Sequence, residues 1–176
     1  MKRSRLWLLM VCLPVALMVS ACSASASDPG TTTGKTHPGT DPKTLCQAIG
    51  KLDRLVVRRT DAFPQNGFHF SFPDVVVVEK VALVKDAAEA VCALPRMPSG
   101  VFNCPADFGI EYQLTFSAEG RVFESVLVSA TGCETVTGLG ASRWVARSSW
   151  FWSRLGKSMG LSSPTWTTFR GIRDGS

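Results

Sequence analysis

The chain has 176 residues, 45% of them hydrophobic, a formal charge of +5 and six cysteines. Lys2, Arg3 and Arg5 belong to an N-terminal leader; residues 22 to 176 hold 16 basic against 14 acidic side chains, a balance of only +2. The basicity is therefore partly an export feature and not the footprint of a nucleic-acid binder. After the leader and a polar stretch, about 130 residues remain, enough for one domain around one core.

The basic start is followed by an apolar run from Leu6 to Val19, interrupted by Pro14. It is shorter than the roughly 20 residues that span a bilayer and has the form of a signal peptide. It closes on Val19-Ser20-Ala21-Cys22, which resembles the lipobox of bacterial lipoproteins. The resemblance implies cleavage before Cys22 and acylation of its thiol with groups such as palmitate, which would hold the chain on the outer face of the cytoplasmic membrane. Two alternatives are an ordinary cleavage at Ala24-Ser25-Ala26, giving a secreted protein, and an uncleaved single anchor. Cys12 would leave with the leader.

From Ser23 to Lys43 no apolar side chain exceeds Ala, and Ser27 to Pro42 is rich in Gly, Thr, Asp and Pro. Such a segment cannot bury enough surface to offset its ordering entropy, and as a coil it would reach roughly 25 Å. Gly34-Lys35-Thr36 is not a phosphate loop, because position 29 is Pro and the flanks offer no strand or helix. The organisation expected is a signal peptide over 1–21, a lipidated tether over 22–43 and one domain over 44–176.

Within the domain, Thr44 would cap a short helix over Leu45 to Lys51, and Leu55 to Arg59 reads as a strand. Phe68, Phe70 and Phe72 alternate with His69 and Ser71, the period of a half-buried strand. Val75 to Val78 is a further strand. Val81, Val84, Ala88 and Val91 share a helical stripe opposite Lys85, Asp86 and Glu89, and Pro95 and Pro98 stop that helix. A loop runs to Gly109. Ile110, Tyr112, Leu114 and Phe116 alternate with polar residues, Ala118-Glu119-Gly120 turns the chain into Val122 to Val128, and Thr131-Gly132 turns it into Cys133 to Thr137. Short turns between neighbouring strands imply a meander. The fold class expected is α+β: an antiparallel sheet covered by two or three helices.

Cys46, Cys92, Cys104 and Cys133 remain in the domain with no Cys-x-x-Cys pair, so disulfides are expected rather than a metal site. Three pairings are possible; Cys46–Cys92 would tie the first helix to the long one, and Cys104–Cys133 the loop to the last strand. Asp61-Ala62-Phe63-Pro64-Gln65-Asn66, Cys104-Pro105-Ala106-Asp107-Phe108-Gly109, Tyr112-Gln113-Leu114-Thr115-Phe116 and Thr131-Gly132-Cys133-Glu134-Thr135-Val136 resemble a group of uncharacterised actinobacterial lipoproteins and secreted proteins. The likeness covers about residues 46 to 160. It implies an envelope location, supports the Cys104–Cys133 bond and carries no catalytic role with it.

No Gly-x-Ser-x-Gly elbow, zinc-binding His pair or dinucleotide glycine pattern occurs. His69 is the domain's one histidine, and as a base it would need Asp61 or Asp74 within reach. Asp107 reads as a loop residue rather than half of a carboxylate pair with Glu111. The expectation is a non-catalytic protein without cofactor or metal. Residues 141 to 176 carry six basic side chains against Asp174 alone, and every Trp outside the leader but none of the acidic excess. A helix capped at Ser148 or Ser149 would bury Phe151, Trp152, Leu155 and Met159 and leave Trp150, Arg154 and Lys157 as a candidate binding surface for an anionic wall polymer or lipid headgroups. The alternative function is a protease inhibitor presenting Pro95-Arg96-Met97-Pro98-Ser99-Gly100 as a rigid loop. Nucleic acid is not expected as a partner, and no particular protein partner is implied.

Overall fold

Strict alternation from Ile110 to Ala118 makes the centre of the fold. In the computed structural model, which describes residues 42–146 and 150–173, this stretch is a nine-residue strand whose even-numbered side chains are buried. In chain order the elements are helix α1 (Pro42–Gln47), strands β1 (Arg54–Asp61), β2 (Phe68–His69) and β3 (Val75–Val78), helix α2 (Val81–Cys92), strands β4 (Ile110–Ala118), β5 (Arg121–Val122), β6 (Val126–Ser129), β7 (Thr135–Thr137) and β8 (Arg143–Trp144), helices α3 (Trp150–Ser158) and α4 (Trp166–Arg170), and strand β9 (Ile172–Arg173).

The main sheet runs β3-β1-β4-β6-β7-β8, with β5 folded back on β4 and every pair antiparallel. From β4 to β8 it is the expected meander; β1 reaches β4 only through the crossover that α2 makes. Leu55, Val57, Tyr112, Leu114, Phe116, Val126, Val128 and Val136 form the inner face. Against it lie Val84, Ala87, Ala88 and Val91 of α2 and Phe151, Trp152 and Leu155 of α3. The fold is thus α+β, with helices covering one face of an antiparallel sheet. The other face carries Glu111, Gln113, Thr115 and Ser117, half-buried.

All four domain cysteines are paired, Cys46 with Cys92 and Cys104 with Cys133, with Cα atoms 5.7 and 4.8 Å apart. The first bond ties α1 to the end of α2 and the second ties the 94–109 loop to the start of β7. Both are the favoured pairings.

Several local expectations are corrected. The first helix begins at Pro42, two residues before Thr44, because proline suits a first helical position, and its end tightens into a 3₁₀ turn over Ile49–Lys51. Val81 is 45% exposed at the start of α2, outside the buried stripe, where Ala87 and Ala90 stand instead. Phe68 and His69 alone are a strand, paired with β9; Phe70 and Phe72 keep the alternation of burial but lie in a bend before Pro73. Val122 to Val128 is two strands, β5 and β6, separated at Phe123 to Ser125. Ser148 and Ser149, the expected caps of α3, lie outside the described residues, as do Cys22 and the tether up to Asp41.

Candidate functional site

On α3, Phe151, Trp152 and Leu155 are fully buried and Met159 is half-buried, so the apolar stripe is core packing. Trp150 is 45% exposed and Lys157 is exposed. Arg154 lies between them and is committed: its guanidinium donates to Asp86 and, at 3.0 Å, to Glu89 of α2, and it sits 5.6 Å from the Trp150 ring. Hydrogen bonding to Asp86 first, then to Glu89, holds its pKa above the usual arginine value. The three side chains do share a surface. Two carboxylates neutralise its central cation, which removes most of the attraction for an anion. Trp166 and Phe169 pack elsewhere: the Trp166 indole donates to the Ala130 carbonyl at 3.1 Å, and Phe169 lies 4.8 Å from Trp152.

His69 is exposed on β2. The carboxylates that would have to serve it hold other partners: Asp61 accepts the Phe63 N–H at 2.9 Å, and Asp74 pairs with Arg59. Asp107 accepts from the Gly109 N–H at 2.9 Å and the Thr131 hydroxyl at 2.7 Å, so it shapes the loop. Among the described residues no three His, Cys, Asp or Glu side chains converge as a metal site.

The 95–100 segment starts against the sheet edge, where residues 95–97 lie beside β8. Arg96 pairs with Arg143, the Trp144 N–H donates to the Pro95 carbonyl at 3.1 Å, and the Met97 N–H donates to the Ser142 carbonyl at 2.9 Å. From behind, the Arg143 guanidinium donates to the carbonyls of Cys92 and Leu94, at 3.1 and 2.6 Å, and closes the end of α2. Residues 95–97 are thus held to β8, and the Arg96 side chain is exposed. Leu94, however, is 3% exposed, and the Pro95 carbonyl and Met97 N–H on either side of Arg96 already pair with the sheet edge, where a protease would have to bind them.

Beside this pinned segment is a cleft. Met97 and Pro98, Phe102 to Pro105, Gly132 to Glu134 and Trp144 to Ala146 line it. The cavity is about 410 Å³, and the Cys104–Cys133 bond is part of its lining. Phe102 and Trp144 are 43% and 42% exposed beside it, large rings held in water at its mouth. Glu134, the one ionisable side chain of the lining, is 3% exposed and has a left-handed backbone at φ 51°. Strained non-glycine residues collect at binding sites more than in plain connectors. The sequence reading missed this cleft, since its four segments meet only through sheet pairing and a disulfide. The signals within reach were Trp144 and the two prolines flanking Met97.

Against known proteins, the chain matches no family model, no curated protein and no solved structure.

Proposed function

We propose that the chain is an extracytoplasmic binding domain, exported by its leader and anchored through acylated Cys22, that presents the cleft beside Cys104–Cys133 to a ligand. The observation that carries this reading is the pairing of every domain cysteine. Two such bonds persist in an oxidising compartment and not among reduced cytosolic thiols. The export-like start, the lipobox-like Val19-Ser20-Ala21-Cys22 and the motif resemblance to actinobacterial envelope proteins point to the same place. Binding rather than catalysis is favoured because the cleft is apolar, with convergent rings and a rigid frame, and the candidate acid–base residues are engaged elsewhere in the fold.

The test is fractionation of cells that express the full chain or its Cys22→Ala variant. The native chain is expected in the membrane, labelled by a palmitate analogue, and the variant unlabelled and released to the medium or envelope fluid. A native chain recovered from the cytosol with free thiols would refute the reading. The released variant then serves for co-sedimentation with wall polymer and anionic vesicles.

A further inference from the structure

We infer that the cleft takes the acyl chain of a single-chain membrane lipid and leaves its headgroup in solvent. This rests on the reading of the protein as a membrane-anchored binding domain. The lining chemistry selects the class. Met97, Pro98, Phe102, Pro105, Trp144 and Val145 supply hydrocarbon, sulfur and ring surface, whereas among the described lining residues polar side chains are limited to Asn103 and the buried Glu134. A glycan would lose water from several hydroxyls with too few partners to replace it, and an anionic group placed inside would meet no cation among the described lining residues. A hydrocarbon chain needs neither, and it would cover the rings of Phe102 and Trp144 that otherwise face water. The thioether of Met97 lets the wall adjust to a chain of variable path. A volume of about 410 Å³ is within the range of small-ligand cavities.

The length of chain outside the described domain names the source. Fewer than 20 residues separate Cys22 from Pro42, a span of at most about 70 Å at full extension, so an anchored domain stays beside the bilayer, where lipid is at high effective concentration. Transfer from bilayer hydrocarbon into an apolar cleft is close to balanced, because lipid tails are already an apolar solvent. The occupant is therefore a lipid that leaves the bilayer readily, with one chain instead of two.

The experiment uses the full chain reconstituted in phosphatidylcholine vesicles that contain a lysophosphatidylcholine with a diazirine near the end of its chain. Irradiation is expected to give saturable adducts on peptides covering 97–105 and 132–146, competed by unlabelled lysophosphatidylcholine. They should fall about tenfold or more in Trp144→Asp and in Phe102→Asp, as a charge placed against hydrocarbon raises the dissociation constant. Phe102 lies outside every helix and strand, so its variant keeps the fold, as far-ultraviolet circular dichroism would verify. Adducts confined to residues 1–41, or unchanged in both variants, would overturn the inference. So would wall-glycan binding that Trp144→Asp abolishes with no lipid adduct in the native chain. The Cys22→Ala chain, given the same probe below its micelle concentration, separates the two claims. Membrane retention of that variant would refute the anchor alone, and absence of cleft adducts in it would refute the acyl site alone.

Discussion

Tyr112 is the chain's one tyrosine and the centre of its aromatic core. Its ring lies 5.2 Å from Phe169 and 6.2 Å from both Phe72 and Trp152, and its hydroxyl donates to the Phe169 carbonyl at 2.7 Å. Burial pushes the phenol well above its ordinary value near 10, and the nearby Arg59 offsets this only in part. Below about pH 10 the phenol is protonated in both folded and unfolded chains and contributes no pH dependence. Above it the unfolded chain ionises while the folded one does not, so stability falls by about 1.4 kcal/mol per pH unit. Tyrosinate absorbance should therefore appear only as the chain unfolds; a normal titration in the folded state would contradict this. Tyr112→Phe strands a buried carbonyl and should cost about 1–2 kcal/mol in urea unfolding. Arg59 is held with its guanidinium 3.6 Å over Phe70, donating to the Phe72 carbonyl and pairing with Asp74. Arg59→Ala should cost about 2–3 kcal/mol, from lost hydrogen bonding and ring contact together. None of this network was legible beforehand, because its residues come from β1, the bend after β2, β4, α3 and α4.

At the scale of elements, α2 and α3 are joined by Arg154 to Asp86 and Glu89, and α3 is joined to the 160s loop by a close crossing at Gly156. A Cβ on Gly156 would overlap the Pro164 ring. In an exposed helix Gly→Ala stabilises by about 1 kcal/mol; here Gly156→Ala should destabilise, because α3 must back away from Pro164 and Phe169. Thermal unfolding gives the sign directly. Elements with a long apolar period were legible: β4 by its alternation, α2 and α3 by their stripes. Those that rest on a partner were not. The two-residue strands β8 and β9 have no period of their own and exist because β7 and β2 offer them an edge. The Phe68–Phe72 alternation was right about burial and wrong about pairing, since β9 is long enough to match only Phe68 and His69.

The described domain is a sheet with one helical cover and a small β2–β9 ribbon, cross-linked by two disulfides. Closing loops with sequence separations of 46 and 29 residues, each disulfide should contribute about 3–4 kcal/mol on the chain-entropy account. Cys46→Ala/Cys92→Ala should lower the unfolding midpoint and leave the cleft intact, whereas Cys104→Ala/Cys133→Ala should also loosen a wall of it. The cysteine count made two disulfides legible but left three pairings open; the observed one was favoured by the elements each bond would tie and, for Cys104–Cys133, by the motif resemblance. The cleft was not, because Met97, Phe102, Cys133 and Trp144 converge only after β8 pairs with both β7 and the 95–97 segment. The expected helix surface was legible as a set of residues. Its electrostatics were not, since the carboxylates that neutralise Arg154 come from α2.

The account stands on the chain being exported, acylated and cross-linked, and the intact mass of the protein extracted from membranes tests all three at once. It predicts a chain beginning at Cys22, heavier by its acyl groups and lighter by the four hydrogens lost in two disulfides. An unmodified chain beginning at Met1, or one beginning at Ser27 without lipid, would contradict it.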